Sequence, residues 1–212
     1  MTLERESGAG PWEGEYAKKG RIWGGAVHFL PEIPRGERVL ELGCGNGKTS
    51  RALLEHGCDV VGVDVALSAI RLCRHHAPGD TTGEFALADA RSLPFADASF
   101  GAVTAFHVIG HLPEGERARC ACEAGRVLRP GGSLHFSGFS REDFRAGNGR
   151  ETEPGTFLRK NGIATHYFSE EEVLTLFGDL VPAGCTTRRW TLTVRGRAYP
   201  RAEIAAAFTK KP

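Results

Sequence analysis

The sequence has no long apolar run, and this absence limits where the protein can work. No segment of the 212 residues approaches the ~20 apolar residues that a membrane-spanning helix needs. The first ten residues are polar and mixed in charge, without the apolar centre of a secretory signal. We therefore expect a cytoplasmic protein that makes no use of a membrane.

Paired cysteines are also missing, although the chain contains 6 cysteines. None of them forms the CxxC pairs that hold zinc, and Cys120 and Cys122 stand two residues apart in a helical pattern, where side chains point in different directions. The sequence therefore predicts reduced thiols in a reducing cytoplasm and no metal site.

The chain lacks an excess of charge of either sign. Its 27 Lys and Arg residues face 26 Asp and Glu residues, so no overall field gathers nucleic acid. A local basic run near the C-terminus leaves two alternatives open, a solvated strand face or a phosphate-binding surface. Its members are Arg188, Arg189, Arg195, Arg197, Arg201, Lys210 and Lys211.

From Arg38 onward, short apolar runs alternate with helical patterns, which is typical of an α/β domain with a parallel sheet. The predicted strands are 38–42, 59–63, 84–88, 102–106 and 133–137. The predicted helices are 48–56, one capped by Ser68, 117–128 with Pro113 at its start, and one that opens with a capping box at 169–172. Two β-rich runs, 187–194 and 203–209, have no helix between them and predict an antiparallel hairpin at the sheet edge.

Two segments lie outside this alternation and are the expected walls of a ligand pocket. Residues 1–36 precede the sheet, and residues 140–168 form a long polar loop after the fifth strand. Loops at the carboxyl ends of parallel strands commonly bind ligands. We therefore predict a single domain over 1–212, with 1–36 as an N-terminal cap segment and 140–168 as a substrate-side loop.

A glycine-rich loop joins the first strand to the first helix of the sheet. Gly43 and Gly45 permit a tight turn and the close approach of a ligand, and the helix from Lys48 points its N–H groups at the same place. Asp64 ends the next strand, about twenty residues on, where a carboxylate accepts hydrogen bonds from ribose hydroxyls. The combination predicts a nucleoside site.

The glycines follow a GxGxG spacing instead of the GxGxxG of dinucleotide sites, and the strand before them contains Glu41. This loop resembles motif I of the class I S-adenosylmethionine-dependent methyltransferases. The resemblance covers most of residues 38–212 and departs at Gly101, where the family usually has Asp; its further segments are 88–90, 93–95, 99–107, 123–132 and 207–212. It implies a three-layer Rossmann-like fold whose seven-stranded, mostly parallel sheet has an antiparallel C-terminal edge strand.

The resemblance also implies a cofactor, S-adenosylmethionine, with S-adenosylhomocysteine as its product. In the family, the residue at Asp64 binds the ribose, Val65 packs on the adenine, and Asp89 with the Ala90 backbone binds the adenine edge. In small-molecule members of the thiopurine and tellurite-resistance type, a leading aromatic segment folds over the cofactor. The alternative is that Trp12 and Trp23 only anchor a helix. The expected cofactor-binding residues are Glu41, Gly43, Cys44, Gly45, Asn46, Asp64, Val65, Asp89, Ala90, His107, Tyr16, Arg21 and Trp23.

Three residues are candidates for chemistry at the acceptor. Methyl transfer chiefly needs alignment, and it needs a base only when the acceptor must lose a proton. His107 follows the fourth strand and is a pocket wall, a base or a packing residue. His166 and Tyr167 precede the last helix, as catalytic groups or as an aromatic hinge. Arg159 and Lys160 either hold an acidic acceptor or are solvated.

We therefore expect an S-adenosylmethionine-dependent methyltransferase with a small-molecule acceptor, working as a monomer or a homodimer. The alternatives are a tRNA-modifying enzyme of the wobble-uridine type, which the segments 108–111 and 166–168 also resemble, and a cofactor-binding module without catalysis, which the departure at Gly101 keeps open. An NAD-dependent oxidoreductase is the remaining alternative.

Overall fold

The computed structural model describes residues 9–20, 30–75 and 83–212. The helices are α1 (Ala9–Lys19), α2 (Lys48–His56), α3 (Leu67–His75), α4 (Glu114–Val127) and α5 (Glu170–Leu176). The strands are β1 (Arg38–Leu42), β2 (Asp59–Asp64), β3 (Glu84–Leu87), β4 (Phe100–Phe106), β5 (Leu128–Phe139), β6 (Arg150–Glu153), β7 (Thr156–Leu158), β8 (Ala164–His166), β9 (Val181–Val194) and β10 (Arg197–Thr209). In this part of the chain, no helix is both long enough and apolar enough to cross a membrane.

The main sheet has seven strands in the order β3-β2-β1-β4-β5-β10-β9. The strands from β3 to β5 pair in parallel, whereas β10 runs antiparallel to both of its neighbours, β5 and β9. The fold class predicted from the sequence is confirmed, including the C-terminal hairpin at the sheet edge. Within that hairpin β10 lies one position inside, and β9 forms the outermost strand.

Helices cover both faces of the sheet, because successive residues of its strands point to opposite sides. Leu40 and Leu42 belong to the apolar cluster that contains the inner face of α4. Val39, between them, packs with Leu53 and Leu54 of α2 on the other face. Strands covered on both faces must be almost wholly apolar, which is the pattern that the sequence showed.

Two helix starts differ from the predictions in an instructive way. Ser68 is not a cap: it is the second residue of α3, and its backbone N–H donates to Glu13 of α1 at 3.0 Å. The predicted capping box before α5 is confirmed, with Ser169 and Glu172 bonded to each other's backbone. The difference arises because Glu13, a residue distant in sequence, supplies the acceptor for Ser68.

The predicted loop at 140–168 was wrong as a description of structure. It contains a three-stranded antiparallel sheet in the order β6-β7-β8, and Thr156, Thr165 and His166 of this sheet are buried. Strands of three or four residues are too short to show a clear alternation, so the sequence pattern could not reveal them. The segment is therefore an ordered wall beside the main sheet.

Gly101 lies near the start of β4, and its missing side chain has a structural reason. A Cβ built at this position would lie 1.9 Å from the Glu37 carboxylate. That carboxylate accepts a hydrogen bond from the Arg129 guanidinium at 2.6 Å. The departure from the family pattern at Gly101 is therefore explained by packing at the end of β4 opposite to its carboxyl end.

Candidate functional site

One cavity of about 1640 Å³ extends along the carboxyl ends of the central strands and the exposed face of the C-terminal hairpin. We call the part around Glu41, Asp64 and Asp89 the loop end, and the part around Phe139 and Glu203 the hairpin end. A pocket for one small ligand measures roughly 300–1,000 Å³. The cavity therefore has room for two ligands side by side.

The glycine loop forms the floor of the loop end, and two glycines there are required by geometry. Gly43 and Gly45 have φ of 66° and 56°, in the left-handed region that favours glycine. A Cβ at Gly45 would lie 2.5 Å from the Tyr16 hydroxyl oxygen, and one at Gly43 would lie 2.7 Å from the side chain of Val108. Helix α1 and the segment after β4 thus press directly on this loop.

Asp64 is fixed at the end of β2 by backbone donors. Its two carboxylate oxygens accept hydrogen bonds from Gly45 N–H at 3.0 Å and Ala66 N–H at 2.9 Å. Burial raises the pKa of this carboxyl, although those hydrogen bonds lower it. The side chain lines the cavity, so its remaining lone pairs can accept hydrogen bonds from a ligand.

Glu41 is the most deeply buried acid of the loop end. Ser50 donates a hydrogen bond to its carboxylate. Burial nevertheless raises the pKa of Glu41 to about 8, so the carboxyl is largely protonated at neutral pH in this structure. A cation bound beside it would favour its charged form.

Asp89 contributes a third carboxylate, held by Arg91. The Arg91 guanidinium donates to both carboxylate oxygens, at 2.9 Å from Nε and 2.6 Å from Nη2. Burial opposes ionisation of Asp89, but the hydrogen bonds and charge of Arg91 outweigh burial and lower its pKa. Asp89 is therefore a charged acceptor at the edge of the cavity.

Helix α1 covers the loop end. Tyr16 is buried against the glycine loop, and the Trp12 ring meets His111 edge-on with centroids 4.7 Å apart. Burial lowers the pKa of His111 to about 4, which leaves it a neutral packing residue. Arg21 and Trp23, expected in the same cap, lie outside the described residues. The expected cofactor residues that line the cavity are Glu41, Gly43, Cys44, Gly45, Asn46, Asp64, Val65, Asp89, Ala90, His107 and Tyr16.

His107 lies just past β4, between the two ends of the cavity. Its φ of 53° is unusual for a residue other than glycine. Its Nε2 lies 3.2 Å from a carboxylate oxygen of Glu203, and its ring packs on Phe139 with centroids 4.3 Å apart. Its Nδ1 is buried and has no protein partner. Burial opposes ionisation of Glu203, but hydrogen bonds from His107 and Ser137 outweigh burial and lower its pKa.

The structure places His166 and Tyr167 away from the cavity. Both ring nitrogens of His166 have partners, Glu172 at 2.6 Å and Thr156 at 2.8 Å, and the side chain is 1% exposed. Tyr167 is equally buried, and its hydroxyl accepts a hydrogen bond from Arg159 at 2.6 Å. This placement favours the aromatic-hinge interpretation over a catalytic one for both residues.

The hairpin end contains groups that the sequence interpretation did not single out. Their common feature is a position on the open face of β5 and β10 or in the turn after β5; they are Ser137, Phe139, Arg145 and Glu203. The available signal was the alternation in β10, where buried Ala202 and Ile204 flank Glu203. Such alternation indicates one apolar and one polar face.

Parts of the C-terminal basic run are committed to structural partners. Lys210 donates to the carbonyl oxygens of Gly125 and Leu128, both at 2.7 Å, at the C-terminal end of α4. Arg189 pairs with Glu142, and Arg201 pairs with buried Asp143. Among the described residues, no group of three His, Cys, Asp or Glu side chains has the arrangement of a metal site.

Comparisons with known proteins agree with this geometry. Residues 40–136 match the family described as a methyltransferase domain. The chain is 36% identical over 124 residues to a 2-methyl-6-phytyl-1,4-hydroquinone methyltransferase of Synechocystis, covering 58% of this chain and 37% of that protein. It is 34% identical over 113 residues to a ubiquinone biosynthesis O-methyltransferase of Coxiella burnetii, covering 53% of this chain and 47% of that protein. The chain thus spans less than half the length of these curated relatives.

Structural similarity extends further along the chain. A crystal structure of an S-adenosylmethionine-dependent methyltransferase from Methanosarcina mazei superimposes with a TM-score of 0.73 and 25% identity, over 87% of this chain and 99% of that one. Together with the strand order, these matches identify the chain as having the class I S-adenosylmethionine-dependent methyltransferase fold, with a methyltransferase domain at residues 40–136.

Proposed function

We propose that the protein transfers the methyl group of S-adenosylmethionine to a small-molecule acceptor. The observation that carries the proposal is the loop end, where a glycine loop, a carboxylate fixed by its backbone and a covering aromatic helix surround one part of a larger cavity. The matched family and relatives supply the reaction class.

The residues of the loop end fit S-adenosylmethionine. Asp64 would accept hydrogen bonds from the ribose hydroxyls, Asp89 would face the adenine edge, and Glu41 would face the cationic amino-acid part. This placement follows from charge, because a ligand with an ammonium and a sulfonium suits three acidic side chains. When bound, the cofactor supplies an electrophilic methyl group. The chain's own contribution is alignment and exclusion of water by Tyr16 and Trp12 of α1.

A small acceptor is favoured by the shape of the remaining space. The hairpin end is a bounded wall of aromatic and charged side chains beside the loop end. The named relatives act on a hydroquinone and in ubiquinone biosynthesis, which are small aromatic chemistries. We also propose a cytoplasmic location, since all six cysteines are free thiols.

The experiment is a calorimetric titration of the protein with S-adenosylhomocysteine, followed by product detection with a panel of hydroxylated aromatic acceptors and with tRNA. We expect micromolar or tighter binding and methylation of a small acceptor. Binding of tRNA that weakens steeply with salt would overturn the small-molecule assignment. Cofactor binding without product on any acceptor would favour a non-catalytic module.

A further inference from the structure

The hairpin end presents flat groups to the cavity. The Phe139 ring packs against His107, and the Arg145 guanidinium carbon lies 3.9 Å from its centroid. The Arg201 guanidinium carbon lies 5.2 Å from the Trp190 ring centroid. Aromatic rings and guanidinium planes of this kind stack on planar ligands. The wall therefore suits an aromatic acceptor.

The same wall has a surplus of positive charge. Five guanidinium groups line it, those of Arg145, Arg159, Arg188, Arg189 and Arg201. Asp143, whose side chain is fully buried, is shared by Arg145 and Arg201 at 2.8 and 2.7 Å. Glu142 pairs with Arg189. Glu203, the carboxylate on the cavity itself, faces His107 and the charge of Arg188.

Arg159 has donor capacity to spare. Its Nη2 donates to Tyr167, but its Nε is buried and has no hydrogen-bond partner. A buried donor without a partner costs free energy, and a ligand oxygen would remove that cost. Lys160, the next residue, is exposed and does not line the cavity. The structure therefore separates the two cations that the sequence could not distinguish.

His107 is held in the geometry of a base. Its backbone N–H donates to the Ser137 carbonyl at 2.7 Å, which helps to keep the unusual backbone conformation. When the Nε2–H of neutral His107 donates to Glu203, its Nδ1 carries the free lone pair. That atom is the one without a protein partner. A base oriented by a carboxylate is a recurrent arrangement for activating a nucleophile.

We propose that the acceptor is a small aromatic acid bearing a hydroxyl group, and that His107 removes the hydroxyl proton while Glu203 positions the imidazole. The proposal rests on the methyltransferase function proposed above. The acceptor's anionic group lies against the arginines, with Arg159 as its principal donor. His107 is the catalytic residue, and Glu203 is a positioning residue.

The step balances as an in-line displacement. The hydroxyl oxygen forms a bond to the methyl carbon of S-adenosylmethionine, the carbon–sulfur bond breaks, and its electron pair stays on sulfur. The hydroxyl proton moves to Nδ1 of His107. The imidazolium that results faces the Glu203 carboxylate, which stabilises its charge.

The first test measures binding without turnover. The protein saturated with S-adenosylhomocysteine is titrated with 4-hydroxybenzoate and with 4-hydroxybenzamide, which has the same shape but no charge. We expect the carboxylate to bind about 10-fold more tightly, and Arg159→Gln to abolish this preference. Lys160→Gln removes the same charge one residue away and should leave the preference unchanged.

The second test separates rate from binding. His107→Asn keeps a residue that tolerates a positive φ, and it should lower kcat for 4-hydroxybenzoate by about 10²–10⁴-fold with KM changed less than threefold. The loss should shrink with 3-nitro-4-hydroxybenzoate, whose hydroxyl is more acidic and needs less help from a base. Glu203→Gln should lower kcat by a smaller factor, again with KM nearly constant.

The outcomes are distinguishable. Absence of S-adenosylhomocysteine binding by the wild-type protein would refute the proposed function itself. With that binding present, equal affinity for carboxylate and amide, or equal effects of Arg159→Gln and Lys160→Gln, would overturn the anion site. Failure of either hydroxybenzoate to bind or to be methylated would overturn the acceptor class, and wild-type turnover by His107→Asn would remove the base.

Discussion

The two ends of the cavity carry opposite charge and are built in different ways. At the loop end, carboxylates are fixed by backbone N–H groups and by neighbours close in sequence, as Gly45 and Ala66 fix Asp64. At the hairpin end, guanidinium groups are fixed by acids such as buried Asp143. The difference teaches that one cavity can present a cation-binding part and an anion-binding part, each with its own support.

If burial alone dominates the loop end, its acids should make stability depend on pH. The folded protein holds the Glu41 proton up to a pKa of about 8, whereas the unfolded chain loses it near the ordinary value of 4.5. The unfolded state thus binds fewer protons in this window, and the free energy of unfolding falls as pH rises from 4.5 to 8, by at most about 1.4 kcal/mol per pH unit.

Glu41→Gln removes this titration while keeping the shape of the side chain. Chemical denaturation of both proteins at several pH values should give a stability difference that favours the variant increasingly toward pH 8. A difference that is independent of pH would show that Glu41 is already ionised in the folded protein at neutral pH.

At the hairpin end, the corresponding prediction concerns stability through a shared acid. Asp143→Ala leaves Arg145 and Arg201 without their carboxylate and should lower the free energy of unfolding by about 3 kcal/mol. Glu142→Ala is the matched control, because its pair with Arg189 is exposed and should contribute less than about 1 kcal/mol. Similar losses in the two variants would contradict the described support of this wall.

The smallest of these effects concerns ligand affinity at the loop end. Asp64→Ala should weaken S-adenosylhomocysteine binding by about 1–3 kcal/mol, because charge-assisted hydrogen bonds to the ribose are lost. Its stability should not fall in parallel, since burial disfavours this carboxylate in the absence of ligand. Calorimetry gives the affinity, and thermal unfolding without ligand gives the stability; unchanged affinity would move the ribose elsewhere.

The same two ends differ in how far the sequence could predict them. The loop end follows from local pattern, because Glu41, the glycines and Asp64 lie on adjacent parallel strands whose carboxyl ends meet. Their places in the cavity agree with the prediction. The carboxylate partner of Asp89, its near neighbour Arg91, was not anticipated, although the motif that contains Asp89 was.

The hairpin end depends on tertiary pairing that no local pattern contains. Glu203 reaches His107 only because β10 lies beside β5, and β5 beside β4. The burial of His166 likewise follows from strands of three residues that propensity does not reveal. The sequence therefore located His107 correctly at the cavity but could not name the residue that orients it.

Gly101 links the fold to the protein's history. Because the Glu37 carboxylate occupies the space of a side chain at 101, the Asp that the family usually has there cannot be introduced while Glu37 remains. The two positions are thus epistatic, and an evolutionary path between the two states must pass first through the loss of Glu37. Arg129 would keep an anionic partner at either end of that path, so the exchange relocates one negative charge along the sequence without adding another.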